Sequence, residues 1–243
     1  MRRFNAWASC WLALTICYVT ILGGHAGAQV LVEDFNDNKI DSTVWVGGIV
    51  SSGPQLAEES CQLEMTLPGT SIGDPFGVAL MSKFLLRGDF DIRVDYHLLA
   101  WPYGNGVRIG LSATSDNGVE RVSLGSQNDH PWAPREVYAT DFYDGPQGFT
   151  ETSDMDGSLR LVRSGSTLIG YRYESGQWSL IHAGPGPDFD VPVLLHSWSH
   201  DWAFMDWDVA LAFDNFVVTD GHLVWPPTNV ETRTWGRIKA LFR

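Results

Sequence analysis

The sequence is poor in cysteine. It has only three among 243 residues, and two of them, Cys10 and Cys17, lie close to the N terminus. Both belong to a segment that we expect to be removed, so Cys61 is left without a partner for an intrachain disulfide. A large apolar core must therefore hold the fold together, and a chain of this length can supply one. We expect the thiol of Cys61 to be buried, as unpaired cysteines usually are.

Positive charge is also scarce. The chain has 16 Lys and Arg residues against 29 Asp and Glu residues, which gives a formal net charge of −13. No basic patch lies in the main body of the chain, and this argues against a nucleic-acid partner. An acidic surface is compatible with neutral or cationic ligands and with divalent cations.

A long apolar run is missing except at the N terminus. Arg2 and Arg3 precede the apolar residues 11–22, and the small-x-small pattern Ala-Gly-Ala ends at Ala28. This order predicts a secretory signal peptide over residues 1–28 and a secreted chain that begins at Gln29. The apolar run is too short for a membrane span. Loss of Arg2 and Arg3 changes the net charge from −13 to −15.

Helical periodicity is nearly absent, and alternation with a period of two takes its place. In the stretch DFDIRVDYHLL, Phe90, Ile92, Val94 and Tyr96 fall on one face and charged residues fall on the other. Many such stretches lie between clusters of Gly, Asp, Asn and Pro, which is typical of strands and turns. The pattern predicts an all-β fold, a two-sheet antiparallel β-sandwich over residues 29–221.

One long stretch predicts three consecutive strands. GSLRLVRSGSTLIGYRYESGQWSLIHAG, residues 157–184, alternates throughout and has turn residues at Ser164-Gly165 and Ser175-Gly176. Among the tryptophans, Trp45 and Trp178 are the candidates for the core.

Residues 222–243 differ in character from the rest. A Pro-Pro linker is followed by TWGRIKALFR, in which Trp235, Ile238, Leu241 and Phe242 fall at helical spacing. We expect a linker and a short amphipathic C-terminal helix. Ten residues are marginal for an isolated helix, so this tail needs the sandwich, a partner or an anionic membrane to pack on.

Four stretches together resemble the concanavalin A-like lectin/glucanase superfamily, whose jelly rolls include laminin-G-like modules and laminarinase-type glucanases. They are EDFNDNKIDSTVW, LLRGDFDIRVDYHLL, LRLVRSGSTLIGYRYESGQWSLI and VALAFDNFVVTDG. The resemblance covers residues 31–221 and implies a jelly-roll sandwich. It leaves the function open, because the superfamily contains sugar-binding modules, glycosidases and adhesion domains.

A glucanase of this kind needs two carboxylates that face each other across the scissile bond. The laminarinase pattern E-x-D-x-x-E or E-x-D-x-E does not occur in the sequence. The nearest substitute is Asp206-Trp207-Asp208. On a strand these two carboxylates would share a face at a spacing of about 7 Å. A divergent glycoside hydrolase that uses Asp206 and Asp208 is therefore the first alternative function.

The stretch HSWSHDWAFMDWD, residues 196–208, contains two histidines at a spacing of four. On a strand His196 and His200 would lie about 13 Å apart, too far to share one metal ion. We interpret the stretch as the end of one strand, a loop and the start of the last strand.

Aromatic residues are abundant in the predicted loops. Aromatic rings pack against the apolar faces of pyranose sugars, and exposed large apolar side chains mark contact surfaces. The candidate ligand-binding residues are Trp101, Tyr103, Trp132, Tyr143, Trp198, Trp202 and Trp207.

The resemblance also implies a structural calcium ion where the first strand meets the last. Asp214 matches the carboxylate that the last strand supplies, and Glu33 and Asp34 lie at the start of the domain. Carboxylates and carbonyls are the ligands that calcium prefers.

These observations predict a secreted, lectin-like module that binds a polysaccharide or another glycan without catalysis. Its final location is extracellular, periplasmic or on the cell surface. A structural or adhesion module that binds another protein is the second alternative.

Overall fold

The computed structural model of the protein describes residues 31–49, 51–115, 118–126 and 136–225. In these ranges the chain forms fifteen β-strands and no helix. The strands are β1 (Leu31–Glu33), β2 (Trp45–Ile49), β3 (Gln55–Glu59), β4 (Gln62–Leu67), β5 (Phe76–Ser82), β6 (Leu85–Ala100), β7 (Arg108–Ser115), β8 (Gly118–Ser126), β9 (Glu136–Phe142), β10 (Gly145–Glu151), β11 (Asp156–Ser164), β12 (Thr167–Glu174), β13 (Gln177–Pro185), β14 (Val193–Ser199) and β15 (Val209–Val224).

The strands pair into two antiparallel sheets, and the predicted sandwich is confirmed. The first sheet has the order β13-β12-β11-β6-β15-β4-β3, and β1 pairs with β15 beyond the end of β4. The second sheet has the order β10-β9-β8-β7-β14-β5-β2. Strands that are distant in sequence lie side by side in both sheets, as β6 does with β15 and β7 with β14.

The core lies between the two sheets. Phe90, Ile92, Val94 and Tyr96 of β6 are all buried, which confirms the predicted apolar face of this strand. They pack with the inward side chains of the second sheet in one continuous apolar cluster. Each fully buried side chain of this size stabilises the fold by about 1.5–3 kcal/mol.

The three strands predicted from residues 157–184 are β11, β12 and β13, joined by two tight turns. The first turn begins at Gly165, which has a φ of 60°. The second turn is formed by Ser175 and Gly176, with φ values of 52° and 84°. Two positive φ values in a two-residue hairpin loop match the right-handed twist of the strands.

Trp45 lies in the core as predicted. Its ring packs edge-on against Phe216 at a centroid distance of 5.2 Å and also contacts Phe35 and Phe84. Its Nε1–H donates a hydrogen bond of 3.1 Å to a carboxylate oxygen of Glu33, so the indole nitrogen has a partner despite its burial.

The core prediction for Trp178 is wrong. Trp178 pairs with Tyr173 across β13 and β12, and both side chains line a pocket on the outer face of the first sheet. A β-bulge between Gly170 and Tyr171 changes the register of this pair of strands. Alternation alone does not show which face of an edge strand is buried.

The expected burial of Cys61 is also wrong, because its side chain is exposed. Ser60 and Cys61 form the turn between β3 and β4, and both have positive φ values, 55° and 60°. A two-residue hairpin loop projects from the sheet, so the thiol has no core to enter.

The signal peptide predicted for residues 1–28 and the helix predicted near the C terminus lie outside the described residues. The last strand continues to Val224, three residues beyond the expected boundary of the sandwich at residue 221. In the described part of the chain, no helix is long and apolar enough to cross a membrane.

Candidate functional site

Three loops meet at one end of the sandwich. They are residues 68–75, 101–107 and 200–208. The Gly69 N–H donates to a carboxylate oxygen of Asp208 at 2.8 Å, and the Met205 N–H donates to the carbonyl oxygen of Asn105 at 3.3 Å. We call the outer surface of these loops the loop-end surface.

Residues 196–208 confirm the predicted order of strand, loop and strand, since β14 ends at Ser199 and β15 begins at Val209. The two histidines have separate partners. His196 Nε2 lies 2.6 Å from the Ser112 hydroxyl, whereas His200 Nδ1 lies 2.9 Å from an Asp74 carboxylate oxygen. No group of three metal-ligating side chains occurs among the described residues.

Three predicted ligand-binding aromatics are exposed on the loop-end surface. The exposed fraction is 64% for Trp202, 59% for Tyr103 and 41% for Trp207. The Trp202 ring stacks on the imidazole of His200 at a centroid distance of 5.3 Å, and the Nδ1 edge of that imidazole contacts the Asp74 carboxylate. The apolar face of the Trp202 ring therefore lies next to the hydrogen-bonded pair of His200 and Asp74.

The other predicted aromatics do not join this group. Trp198 is only 6% exposed and stacks on His196 at 4.4 Å, so its ring offers little surface to a ligand. Trp101 packs partly against the core. Tyr143 is exposed in the turn between β9 and β10, at the opposite end of the second sheet. Trp132 lies outside the described residues.

Asp206 and Asp208 do not form the strand pair on which the hydrolase alternative rests. Both precede β15, and Asp206 has a φ of 55°, which is not extended backbone. One oxygen of Asp208 accepts the Gly69 N–H and ties two loops together. The predicted shared strand face at about 7 Å is therefore wrong, because the chain turns at Asp206.

The three residues of the predicted calcium site have different surroundings. Glu33 accepts hydrogen bonds from the Phe35 N–H and the Trp45 indole, which directs its carboxylate towards the core. The carboxylate of Asp214 accepts hydrogen bonds from the backbone and the side chain of Asn215.

Burial raises the pKa of Asp214. The Asn215 N–H opposes this effect, and the negative charges of Asp95 and Asp34 add to it. Asp34 and Asp214 are thus close enough to interact, but Glu33 does not complete a cluster with them. Calcium binding stays a prediction, which a melting curve with and without EDTA would test.

The structure also contains a pocket that the sequence analysis does not predict. A pocket of about 480 Å³ opens on the outer face of the first sheet. Its aromatic wall consists of Tyr173 and Trp178, whose rings meet edge-on at 5.2 Å. The signal that could have revealed it is the alternation of aromatic residues on the solvent-facing side of β12 and β13.

Comparison with known proteins supports the fold. No protein-family model matches the chain. No curated protein sequence matches it either. Solved structures do match.

One similar structure is the Bacillus licheniformis β-glucanase, with 9% identity, coverage of 78% of this chain and 97% of that chain, and a TM-score of 0.54. Another is an immunostimulatory antigen and pseudo β-1,3-glucanase of Mycobacterium tuberculosis, with 11% identity, coverage of 81% and 100%, and a TM-score of 0.56. A third comes from work on endo-acting O-glycanases of the human gut microbiota, with 11% identity, coverage of 78% and 98%, and a TM-score of 0.57.

These matches extend over nearly the whole of each solved chain. Because the sequence identities are low, the matches show a shared fold and not a shared activity. They agree with the two-sheet topology and with the resemblance in the sequence. The chain has the concanavalin A-like glucanase/lectin jelly-roll fold.

Proposed function

We propose that the protein is a glycan-binding module and that it holds its ligand on the loop-end surface without cleaving it. The observation that carries the proposal is the exposure of Trp202, Tyr103 and Trp207 at one end of the sandwich, next to the His200–Asp74 pair. Soluble proteins rarely present several large aromatic side chains together unless they contact a ligand.

The chemistry of this surface suits a sugar. A ring such as that of Trp202 packs against the apolar face of a pyranose, and His200 and Asp74 can exchange hydrogen bonds with its hydroxyl groups. Ligand sites combine broad apolar walls with a few fixed polar groups in this way. A purely apolar patch would fit a protein partner better.

The proposal does not include hydrolysis, because cleavage of a glycosidic bond requires two opposed carboxylates. Asp206 has left-handed backbone, and the Asp208 carboxylate accepts a hydrogen bond from the Gly69 N–H. The two candidate acids are therefore not placed as a pair on one face of a strand. The structural neighbours include a β-glucanase and a pseudo β-1,3-glucanase, so this fold occurs with and without that activity. Export of the protein is part of the proposal and rests on the N-terminal pattern.

Alanine at Trp202 or Trp207 should weaken glycan binding at least about tenfold, a loss of about 1.4 kcal/mol. The matched control is Trp225→Ala, because Trp225 is also exposed but follows the far end of β15. Binding would be measured by calorimetry with the glycan that gives the strongest signal on a glycan array.

Unchanged affinity in both loop-end variants would place the glycan elsewhere. Loss of affinity in Trp225→Ala alone would do the same. Capture of a protein ligand that depends on Trp202, with no glycan bound by the wild-type protein, would favour the adhesion alternative.

A further inference from the structure

We propose that the pocket on the outer face of the first sheet is a second ligand site, which takes one unit of a neutral saccharide independently of the loop-end surface. We call it the sheet pocket. It is lined by Val32, Arg93, Asp95, Ser158, Tyr173, Trp178, Asn215 and Val217. Its volume of about 480 Å³ lies within the range of about 300–1,000 Å³ that is usual for small-molecule sites.

A β-bulge shapes the pocket. The pairing of β15 with β6 shifts between Asp214 and Val217, and Asn215 in this interval has a φ of 49°. The bulge brings the Asn215 side chain over β6, where its amide donates a 3.1 Å hydrogen bond to Asp95. β-Bulges commonly redirect a side chain at a binding site in this way.

A hydrogen-bonded arginine contacts the aromatic wall. The guanidinium of Arg160 lies 5.5 Å from the centroid of Trp178, and its Nε donates a 2.8 Å hydrogen bond to Asp91. Tyr173 meets Trp178 edge-on and is 42% exposed, so its ring remains accessible from the pocket. A preorganised ring costs less conformational entropy when a ligand packs on it.

The polar groups opposite this wall are partly unsatisfied. Asp95 accepts hydrogen bonds from Ser158 at 2.5 Å and from Asn215, which fix the orientation of its carboxylate. Arg93 is partly buried, yet it forms no hydrogen bond or ion pair with any residue that the structure describes. An arginine has five N–H donors, so a ligand with several hydroxyl oxygens would satisfy this group.

The charges around the pocket favour a neutral ligand. Arg93 lies directly beside Arg160 in the pairing of β6 with β11, and Asp91 and Asp95 flank Arg93 on its own strand. The pocket lining contains one positive and one negative side chain, Arg93 and Asp95, and the nearby Arg160 and Asp91 form an ion pair with each other. A carboxylate or an ammonium group on the ligand would therefore meet a like charge as closely as an opposite one.

No lining residue of the sheet pocket belongs to the loops of the loop-end surface. Along β6, Asp95 lies about 17 Å from Ala100, where the loop end begins, because a strand rises about 3.4 Å per residue. A ligand in the pocket can therefore bind whether or not the loop end is occupied.

The test uses the full mature chain and saturation-transfer NMR with methyl β-D-glucopyranoside, methyl β-D-galactopyranoside and methyl α-D-mannopyranoside. We expect saturation transfer to at least one of them. Tyr173→Ala and Arg93→Gln should each reduce its affinity at least about tenfold. Glucuronate and glucosamine should bind more weakly than the neutral glycoside of the same ring configuration.

Two control variants separate this site from the loop end and from general damage. Leu180→Ala removes an exposed side chain from β13 outside the pocket and should not change the NMR signal. Trp202→Ala removes the loop-end ring, and the saturation transfer that remains in this variant should still be reduced by Tyr173→Ala and by Arg93→Gln. The absence of saturation transfer from all three glycosides would overturn the proposal. Signals that survive in Tyr173→Ala and Arg93→Gln but vanish in Trp202→Ala would overturn it too, while leaving the glycan-binding function in place.

Discussion

Replacing Arg163 with alanine should destabilise the sandwich by about 3–5 kcal/mol, because a buried side chain and several of its hydrogen bonds to the backbone are lost together. The Arg163 side chain is buried, and its guanidinium donates hydrogen bonds to four backbone carbonyl oxygens. They belong to Leu86, Gly88, Pro187 and Phe189. The guanidinium also lies 4.8 Å from the centroid of the Phe90 ring.

These contacts join the start of β6 to the connection between β13 and β14. Burial lowers the pKa of Arg163, and the negative charges of Asp89, Asp190 and Asp188 counteract this effect. In the alanine variant the Leu86 carbonyl oxygen would keep its hydrogen bond from the Val191 N–H. The carbonyl oxygens of Gly88, Pro187 and Phe189 would lose the guanidinium donor, at a cost of about 1–3 kcal/mol for each one that water does not reach. Such a loss is large beside the total stability of about 5–15 kcal/mol that is usual for a domain.

Denaturant unfolding measures this effect, with Arg87→Ala as the control. Arg87 is exposed and pairs with Asp190 at 2.8 Å, so its loss should cost less than about 1 kcal/mol. Arg163→Lys should fall between the two, because an ammonium keeps the charge but cannot reach all four carbonyls. Equal stability of the Arg163 and Arg87 alanine variants would mean that the buried network contributes nothing specific.

Gly106→Ala should both destabilise the protein by about 2–4 kcal/mol and abolish most glycan binding. Gly106 has a φ of 81°, and an added Cβ would lie 2.0 Å from the carbonyl oxygen of Ala203. The left-handed backbone alone costs about 1–2 kcal/mol for a residue with a Cβ. The backbone clash must also push the loop at residues 200–208 away, which moves Trp202 and Trp207 from their places.

Gly165→Ala is the matched control for this variant. Gly165 also has a positive φ, 60°, but nothing lies within 4 Å of its added Cβ. The free energy of unfolding of Gly165→Ala should fall only by the cost of the left-handed backbone, and its glycan affinity should stay at the wild-type value. Thermal unfolding and calorimetry on the two variants separate the contributions. Wild-type glycan affinity in Gly106→Ala would show that the packing of the two loops does not determine the position of the binding residues.

The sequence predicted those features that depend on local alternation. The apolar face of β6, the two hairpins that follow β11 and the buried Trp45 were all correct. Each depends on the two-residue period of a strand or on turn residues, which are visible in a short window.

Features that depend on long-range pairing could not be predicted in the same way. The sequence pattern predicts a core position for Trp178, because it does not reveal the bulge at Ile181 in β13, where the register of β12 and β13 shifts. Asp206 and Asp208 were placed on a strand, since a single left-handed residue leaves no mark on the sequence pattern. The meeting of three loops, and the sheet pocket formed by strands distant in sequence, required the fold itself.

Binding without cleavage is the central claim, and one assay tests both halves of it. The wild-type protein is titrated with the strongest glycan from the array, and the same mixture is followed for newly released reducing ends. We expect saturable binding, with reducing ends that stay at the level of a protein-free sample. Release that grows with time and protein concentration, and that is lost in Asp208→Asn, would contradict the claim and establish the hydrolase instead.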